Sequence, residues 1–280
     1  MTVHIPDGFL PPEPPPNAYL QRIDFMTTDP PMPEYNNMFA AVVHNLLTES
    51  ECQELLRLAE ASTLTSDNQT PTWERAMINA GGGRQILAVD SRNCGRIIFD
   101  SPELAQRLLY RLMPFFRESG IDRLEKRPLV TGLGPARRGE VLQLSRLNER
   151  LRFLRYEGGE YFRPHWDGMY ETDDGLERSY FTVHLYLNGE GEQDLEELKK
   201  AYEEKKKNGT VDRGSPDAKL LGGATSFVDT DKDDRAVRVF PKTGSVLVFQ
   251  QNHLAHGGDD VFRGVKYTMR TDVMYRQVKN

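Results

Sequence analysis

Phe162-Arg163-Pro164-His165-Trp166-Asp167-Gly168 contains a His-x-Asp pair, and Asn252-His253-Leu254-Ala255-His256-Gly257-Gly258 supplies histidines far downstream. Two imidazoles and one carboxylate form a facial triad, a set that binds Fe(II) and leaves positions open for a co-substrate and dioxygen. His165 and Asp167 have the same strand parity, so a strand and the turn after it present both side chains on one side. The third ligand has to come from a distant strand, where His256 and His253 are the candidates. A triad of this kind implies an oxygenase.

The surrounding sequence reads as β structure. Leu151–Tyr156, Tyr180–Leu187, Ala224–Val228, Val237–Phe240, Gly244–Phe249 and Tyr267–Tyr275 are short, β-rich and separated by turn residues. This spacing predicts an antiparallel sandwich or jelly roll from about residue 139 onward. Upstream, Thr48-Glu49-Ser50-Glu51 opens a leucine-periodic helix with a cap, and Ser101-Pro102 opens a second helix. These helices are expected to cover one sheet face. Gly81-Gly82-Gly83, between them, reads as a flexible loop; a phosphate-cradling role lacks the Gly-Lys-Ser/Thr it needs.

Three further segments stand apart. Residues 1–38 form a proline-rich arm, including Pro11-Pro12-Glu13-Pro14-Pro15-Pro16, which favours polyproline II and builds no core; it is expected to lie on the surface or to be a disordered tail. Residues 39–280 are read as a single domain, with helical support over 39–138 and the jelly-roll core over 139–280. A charged insertion, 189–221, carries Leu195, Leu198, Ala201 and Tyr202 on one helical stripe. It reads as a solvated decoration or, alternatively, as a lid over the site. Asp229-Thr230-Asp231-Lys232-Asp233-Asp234 imitates a calcium loop, but has Asp234 where glycine is needed and Phe240 where the bidentate glutamate belongs. It reads as a charged hairpin turn.

The chain as a whole restricts the function classes. It has 280 residues, 38% hydrophobic, enough for one large domain. A net charge of −6 argues against a nucleic-acid partner, which would need a basic face. No apolar run reaches the length of a membrane span. Met1–Asp7 lacks the features of a signal peptide, so a cytoplasmic location is expected, with Cys52 and Cys94 as reduced thiols. The sequons Asn68-Gln69-Thr70 and Asn208-Gly209-Thr210 then read as chance matches. The sequence does not set an oligomeric state.

With these residues in place, the chain resembles the Fe(II)/2-oxoglutarate-dependent dioxygenases, in their prolyl 4-hydroxylase-like branch. The resemblance rests on Leu154–Asp167, Thr182–Asn188, Gly222–Phe227, Pro241–Phe249 and His256-Gly257-Gly258 through Gly264-Val265-Lys266, in that order. Ser91–Ile98 adds an upstream segment. It implies a mainly β, double-stranded β-helix (cupin-like) core with supporting helices. It also implies His165, Asp167 and His256 as iron ligands, His256 being preferred to His253 because glycine follows it. Lys266, ten residues later, matches the residue that pairs with the distal carboxylate of 2-oxoglutarate; Arg270 shares its parity and is the alternative. Tyr186 and Tyr156 match positions that touch the co-substrate, although either is equally readable as a core aromatic.

The implied activity consumes Fe(II), 2-oxoglutarate and O2, with ascorbate as a supporting reductant, and releases succinate and CO2. Its outcome is hydroxylation, desaturation or cyclisation at a C–H bond. A small amino-acid-like or biosynthetic substrate is favoured, with Arg92, Arg96 and Arg163 as candidate carboxylate anchors and His184 as a further candidate contact; each is also readable as an ordinary structural residue. A peptidyl-prolyl 4-hydroxylase acting on a protein is one alternative. A cupin-like protein that holds a metal or ligand without turnover is another.

Overall fold

The structure is a computed structural model that describes residues 3–79, 84–209, 211, 214–230 and 235–278. Gly81–Gly83 and Asp231–Asp234, two segments interpreted above, fall outside the described residues.

Two antiparallel sheets face one another. The larger has Tyr19–Arg22, Ala40–His44, Val246–Gln250, Glu177–Tyr186, Val265–Val278, Arg150–Glu157, Gly95–Asp100 and Glu74–Arg75 in spatial order. Val141–Leu147 joins the far end of Val265–Val278. The smaller runs Ala236–Val239, Thr225–Val228, His256–Gly258, Tyr161–His165 and Arg92–Asn93. Sequence neighbours repeatedly cross between sheets, which is the double-stranded β-helix arrangement of a jelly roll.

Alternation along the large sheet separates core from site. Phe153, Val183, Leu185, Met269 and Val273 are buried in the main core with Leu55, Leu58, Leu104, Leu108 and Leu112 of the two long helices. Residues of the other parity, Leu154, Tyr156, His184, Lys266 and Arg270, line a pocket. A strand's period of two therefore puts helices behind the sheet and chemistry in front of it.

Both helices start where their caps dictate. Glu49–Ala61 has a complete capping box between Thr48 and Glu51, and Pro102–Glu118 has Ser101 accepting from the Leu104 amide. Such a cap typically contributes about 1 kcal/mol.

The segment before residue 138 differs from the expectation in two respects. Ala40–His44 and Gly95–Asp100 are integral strands of the large sheet, so this region is not helical support alone. The proline-rich arm also contributes core: Leu10 is buried against the helices, and Phe25, Met32 and Tyr35 pack with Phe227 and Phe249. Arg111, itself buried, donates to Pro11 O and pairs with Glu51, pinning the arm's backbone. Isolated apolar residues in a proline-rich stretch have no periodicity, so only the tertiary contacts reveal their burial.

Candidate metal centre and co-substrate pocket

His165 ends its strand directly opposite His256 on the neighbouring strand, with ring centroids 4.5 Å apart. The following Gly257 permits this approach, because a Cβ there would lie 3.0 Å from Phe162 O. Asp167 follows in the loop and turns back towards both rings. Thr182 Oγ1 donates to its Oδ2 at 2.6 Å. Potential ligand atoms of the three residues all lie within 4.8 Å of one another, the only such group of His, Cys, Asp and Glu among the described residues.

The hydrogen bonds suit a metal. His165 Nδ1 contacts Arg163 O at 2.9 Å, and His256 Nδ1 contacts Leu254 O at 3.1 Å. Each carbonyl holds its imidazole with the proton on Nδ1, leaving a lone pair on Nε2. Both Nε2 atoms point to Asp167, 3.6 Å from one oxygen each. Burial pushes His256 down to about 4, so it is neutral at ordinary pH. Burial opposes ionisation of Asp167, but the charge of Arg270 outweighs it and holds the carboxyl well below the usual range. A neutral imidazole and an ionised carboxylate are the forms that coordinate a divalent cation.

The pocket beside the triad is polar and cationic. Lys266 is 2% exposed and has no hydrogen bond or ion pair among the described residues. Its ammonium faces the rings of Tyr156 and Tyr186 at 5.2 and 5.8 Å. Burial pushes it down to about 8, with the charge of Asp259 opposing. Gly223 makes room for its stem, since a Cβ there would lie 3.0 Å from Lys266 Cδ. Tyr186 OH is 2.8 Å from Thr225 Oγ1, which lines the pocket. His184 Nε2 and Thr268 Oγ1 are buried polar atoms with no partner. Burial, followed by the charge of Lys266, holds the His184 imidazole well below its ordinary value and so neutral.

The remaining candidates separate clearly. Arg270 spends its charge on Asp167 at 3.0 Å and Asp272 at 3.4 Å. Arg92 lines the pocket, stacked over Phe162 at 4.5 Å. Arg96 is buried nearby and reaches Gln85. Arg163 is not brought into the pocket: it pairs with Asp260 at 3.0 Å and lies over the Tyr161 ring, because the register shift between Phe162 and His165 breaks the parity it shares with His165. His253 is exposed with a φ of 63° and takes no part. Thr182, Thr225, Arg152 and Asp272 were not picked out from the sequence. The parity that Thr182 shares with His184 was the available signal; the others depend on cross-strand neighbours.

The insertion forms the expected helix, Leu195–Asn208, with Leu198 buried. Tyr202 meets Phe262 at 4.6 Å between centroids, and Lys205 pairs with Asp260. No described residue of 189–221 lines the pocket.

The sequence profile of the 2OG-Fe(II) oxygenase superfamily matches residues 151–271, the stretch that contains His165, Asp167, His256 and Lys266. This domain belongs to the 2OG-Fe(II) oxygenase superfamily. The oxygenase is accordingly an oxidoreductase whose family uses Fe(II), 2-oxoglutarate and O2. No curated protein matches its sequence. Similar solved structures include the viral collagen prolyl hydroxylase of Paramecium bursaria Chlorella virus-1, at 17% identity and TM-score 0.42, covering 93% of the oxygenase and 97% of that chain. A Pseudomonas putida prolyl-4-hydroxylase aligns at 16% identity and TM-score 0.44, covering 88% and 96%. A Trichoplax adhaerens prolyl hydroxylase, solved with a hypoxia inducible factor oxygen degradation domain peptide fragment, aligns at 15% identity and TM-score 0.46, covering 86% and 85%. No described helix is long and apolar enough to cross a membrane.

Proposed function

We propose that the oxygenase is a prolyl 4-hydroxylase-like enzyme that oxidises a C–H bond of a small, amino-acid-like substrate. In this reading His165, Asp167 and His256 hold the iron, and Lys266 holds the distal carboxylate of 2-oxoglutarate. The observation that carries it is the pair of carbonyl-held imidazoles whose free Nε2 atoms converge on one ionised carboxylate. Bound Fe(II) with 2-oxoglutarate supplies O2-dependent oxidation, with succinate and CO2 released.

The chain's own residues perform the remaining tasks. Lys266 neutralises an anion at the enclosed end, where an uncompensated charge would be costly. Thr225, held by Tyr186, offers a hydroxyl there. Thr182 and Arg270 hold Asp167 from behind, fixing the direction of its oxygens. Phe162 stacks on His165 at 3.6 Å and Phe249 packs on His256 at 4.5 Å, so apolar walls limit water at the imidazoles.

One surface favours a second reading. Trp166, between the two residues of the His-x-Asp pair, and Met169, Tyr170 and Leu176 in the loop that follows it are exposed. An apolar rim of this kind suits a peptide substrate, as a protein-directed hydroxylase would require. The deciding experiment is release of carboxyl-labelled CO2 from 2-oxoglutarate by the purified protein with Fe(II), screened over amino acids, small metabolites and proline peptides. Stimulation by a small molecule supports the proposal, and stimulation by peptides alone supports the second reading. Absence of any Fe(II)-dependent CO2 release leaves the non-catalytic binding protein.

A further inference from the structure

Cationic side chains continue beside the pocket, beyond Arg92, Lys266 and Arg270 that line it. Arg152 lies directly across from Arg270 on adjacent strands, and Ile98 flanks Arg152 on its other side. Arg96 sits opposite Leu154, one step along the same face. Like charges as cross-strand neighbours are destabilising unless something offsets them. Here the carboxylates are few. Asp272 is shared between Arg152 at 3.2 Å and Arg270, and also accepts from Gln251. Asp167 belongs to the metal.

Arg92 and Arg96, at 8% and 6% exposure, form no salt bridge among the described residues, and the Nε of each is buried without a partner. Glu74 is the strand partner of Arg96 but remains exposed and unpaired with it. Burial, and after it the charge of Arg92, lowers the proton affinity of Arg96. Burial also lowers that of Arg152, where Asp272 opposes and Arg270 adds to the effect. Three guanidiniums are thus held near one another in a protein whose net charge is −6.

Lys266 pairs with Tyr156, four residues from Arg152 along one strand, or about 13 Å. With one carboxylate at Lys266 and the other at the metal, a five-carbon diacid has none left for the arginines. A second anion has to satisfy the arginines, and a planar guanidinium fork matches a carboxylate in bidentate fashion.

We infer that Arg96 and Arg152, with Arg92 beside them, form a second anion subsite at the pocket mouth that binds a carboxylate of the prime substrate. The inference rests on the proposed metal and co-substrate assignments, and it sets the substrate class: an acid whose carboxylate lies across the pocket from Lys266.

The test uses the full chain loaded with Mn2+ in place of iron and saturated with 2-oxoglutarate, so that the Lys266 site is filled. The probes are carboxyl-labelled acetate, acetamide as its neutral counterpart, and inorganic phosphate. The readout is nuclear relaxation of each probe by the bound metal. Acetate is expected to relax faster than acetamide, and Arg152→Gln and Arg96→Gln are expected to reduce it to the acetamide value. Arg152→Lys, which keeps the charge, is expected to retain part of the effect and guards against misfolding of the glutamine variant. Equal relaxation of acetate and acetamide, or full retention in both glutamine variants, overturns the subsite. Stronger relaxation of phosphate than of acetate overturns the carboxylate assignment. Failure of the wild-type protein to retain Mn2+, seen as a full free-ion resonance, overturns the metal reading itself.

Discussion

Arg270 Nη2 lies 3.0 Å from Asp167 Oδ1, while Lys266, four residues earlier on the same strand face, has no such partner. The two cations therefore have different work. Lys266→Ala should raise the Kd for 2-oxoglutarate by about 30-fold or more, since removing one member of a buried charge pair typically costs at least 2 kcal/mol. Arg270→Ala should act mainly on the metal, because Asp167 loses the charge that stabilises its ionised form. Titration of both variants with 2-oxoglutarate and with Fe(II) checks this. The assignment fails if Arg270→Ala alone shows the 2-oxoglutarate defect.

The triad predicts a sharp division among histidines. His165→Ala, Asp167→Ala and His256→Ala should each abolish Fe(II)-dependent turnover with Tm little changed, because all three sit at a pocket and not in the main core. His253→Ala should keep both metal and activity, its side chain being exposed. Iron content after anaerobic loading is the direct measurement, and loss of iron in His253→Ala would refute the ligand set.

Lys266 also predicts a pH dependence. Its folded value is lowered to about 8 from an ordinary 10.5. The ammonium is charged below about 8, so 2-oxoglutarate affinity should be full there and fall as pH rises through that value. Between about 8 and 10.5 the unfolded chain holds more protons than the folded one, so this group makes metal-free stability rise with pH in that window. Lys266→Arg should remove the fall in affinity, because a guanidinium stays charged. A wild-type Kd that does not change from pH 7 to 9.5 would count against a lysine anchor.

The insertion helix is held by Tyr202 against Phe262 and Lys205 against Asp260. Tyr202→Ala should lower stability by roughly 1–3 kcal/mol through lost packing. It should leave the 2-oxoglutarate Kd and the ratio of succinate to oxidised product unchanged. A rise in that ratio would restore the lid reading, in which the helix shields the reaction from water.

Gly257 tests the strand pairing that aligns the imidazoles. Gly257→Ala puts a methyl 3.0 Å from Phe162 O and forces the two strands apart by a few tenths of an ångström. Metal affinity is expected to fall while secondary structure, followed by circular dichroism, stays intact. Wild-type affinity in this variant would mean that the His165–His256 approach tolerates more slack than the structure indicates.

The strands and the triad were legible because both depend on local order. Period-two alternation in Tyr180–Leu187 and Tyr267–Tyr275 marks half-buried strands wherever they pair, and the parity of His165 and Asp167 follows from the backbone alone. The caps at Thr48 and Ser101 were equally local. Ala40–His44 is not legible because its four consecutive apolar residues, Ala40–Val43, carry no period to separate strand from helix.

The sequence by itself determined the candidate ligand types, their order and the face of each strand that meets the core. Tertiary structure decided which charges are already spent. Arg163 and Arg270 have carboxylate partners, whereas Lys266, Arg92 and Arg96 have none among the described residues. It also decided that Leu10, Phe25, Met32 and Tyr35 belong to the core and that no described residue of the insertion lines the pocket. The physical reason is common to all of these. Burial and charge pairing are set by neighbours brought together across strands and between sheets, at sequence separations of 97 between Arg163 and Asp260 and 120 between Arg152 and Asp272, beyond the reach of any local pattern.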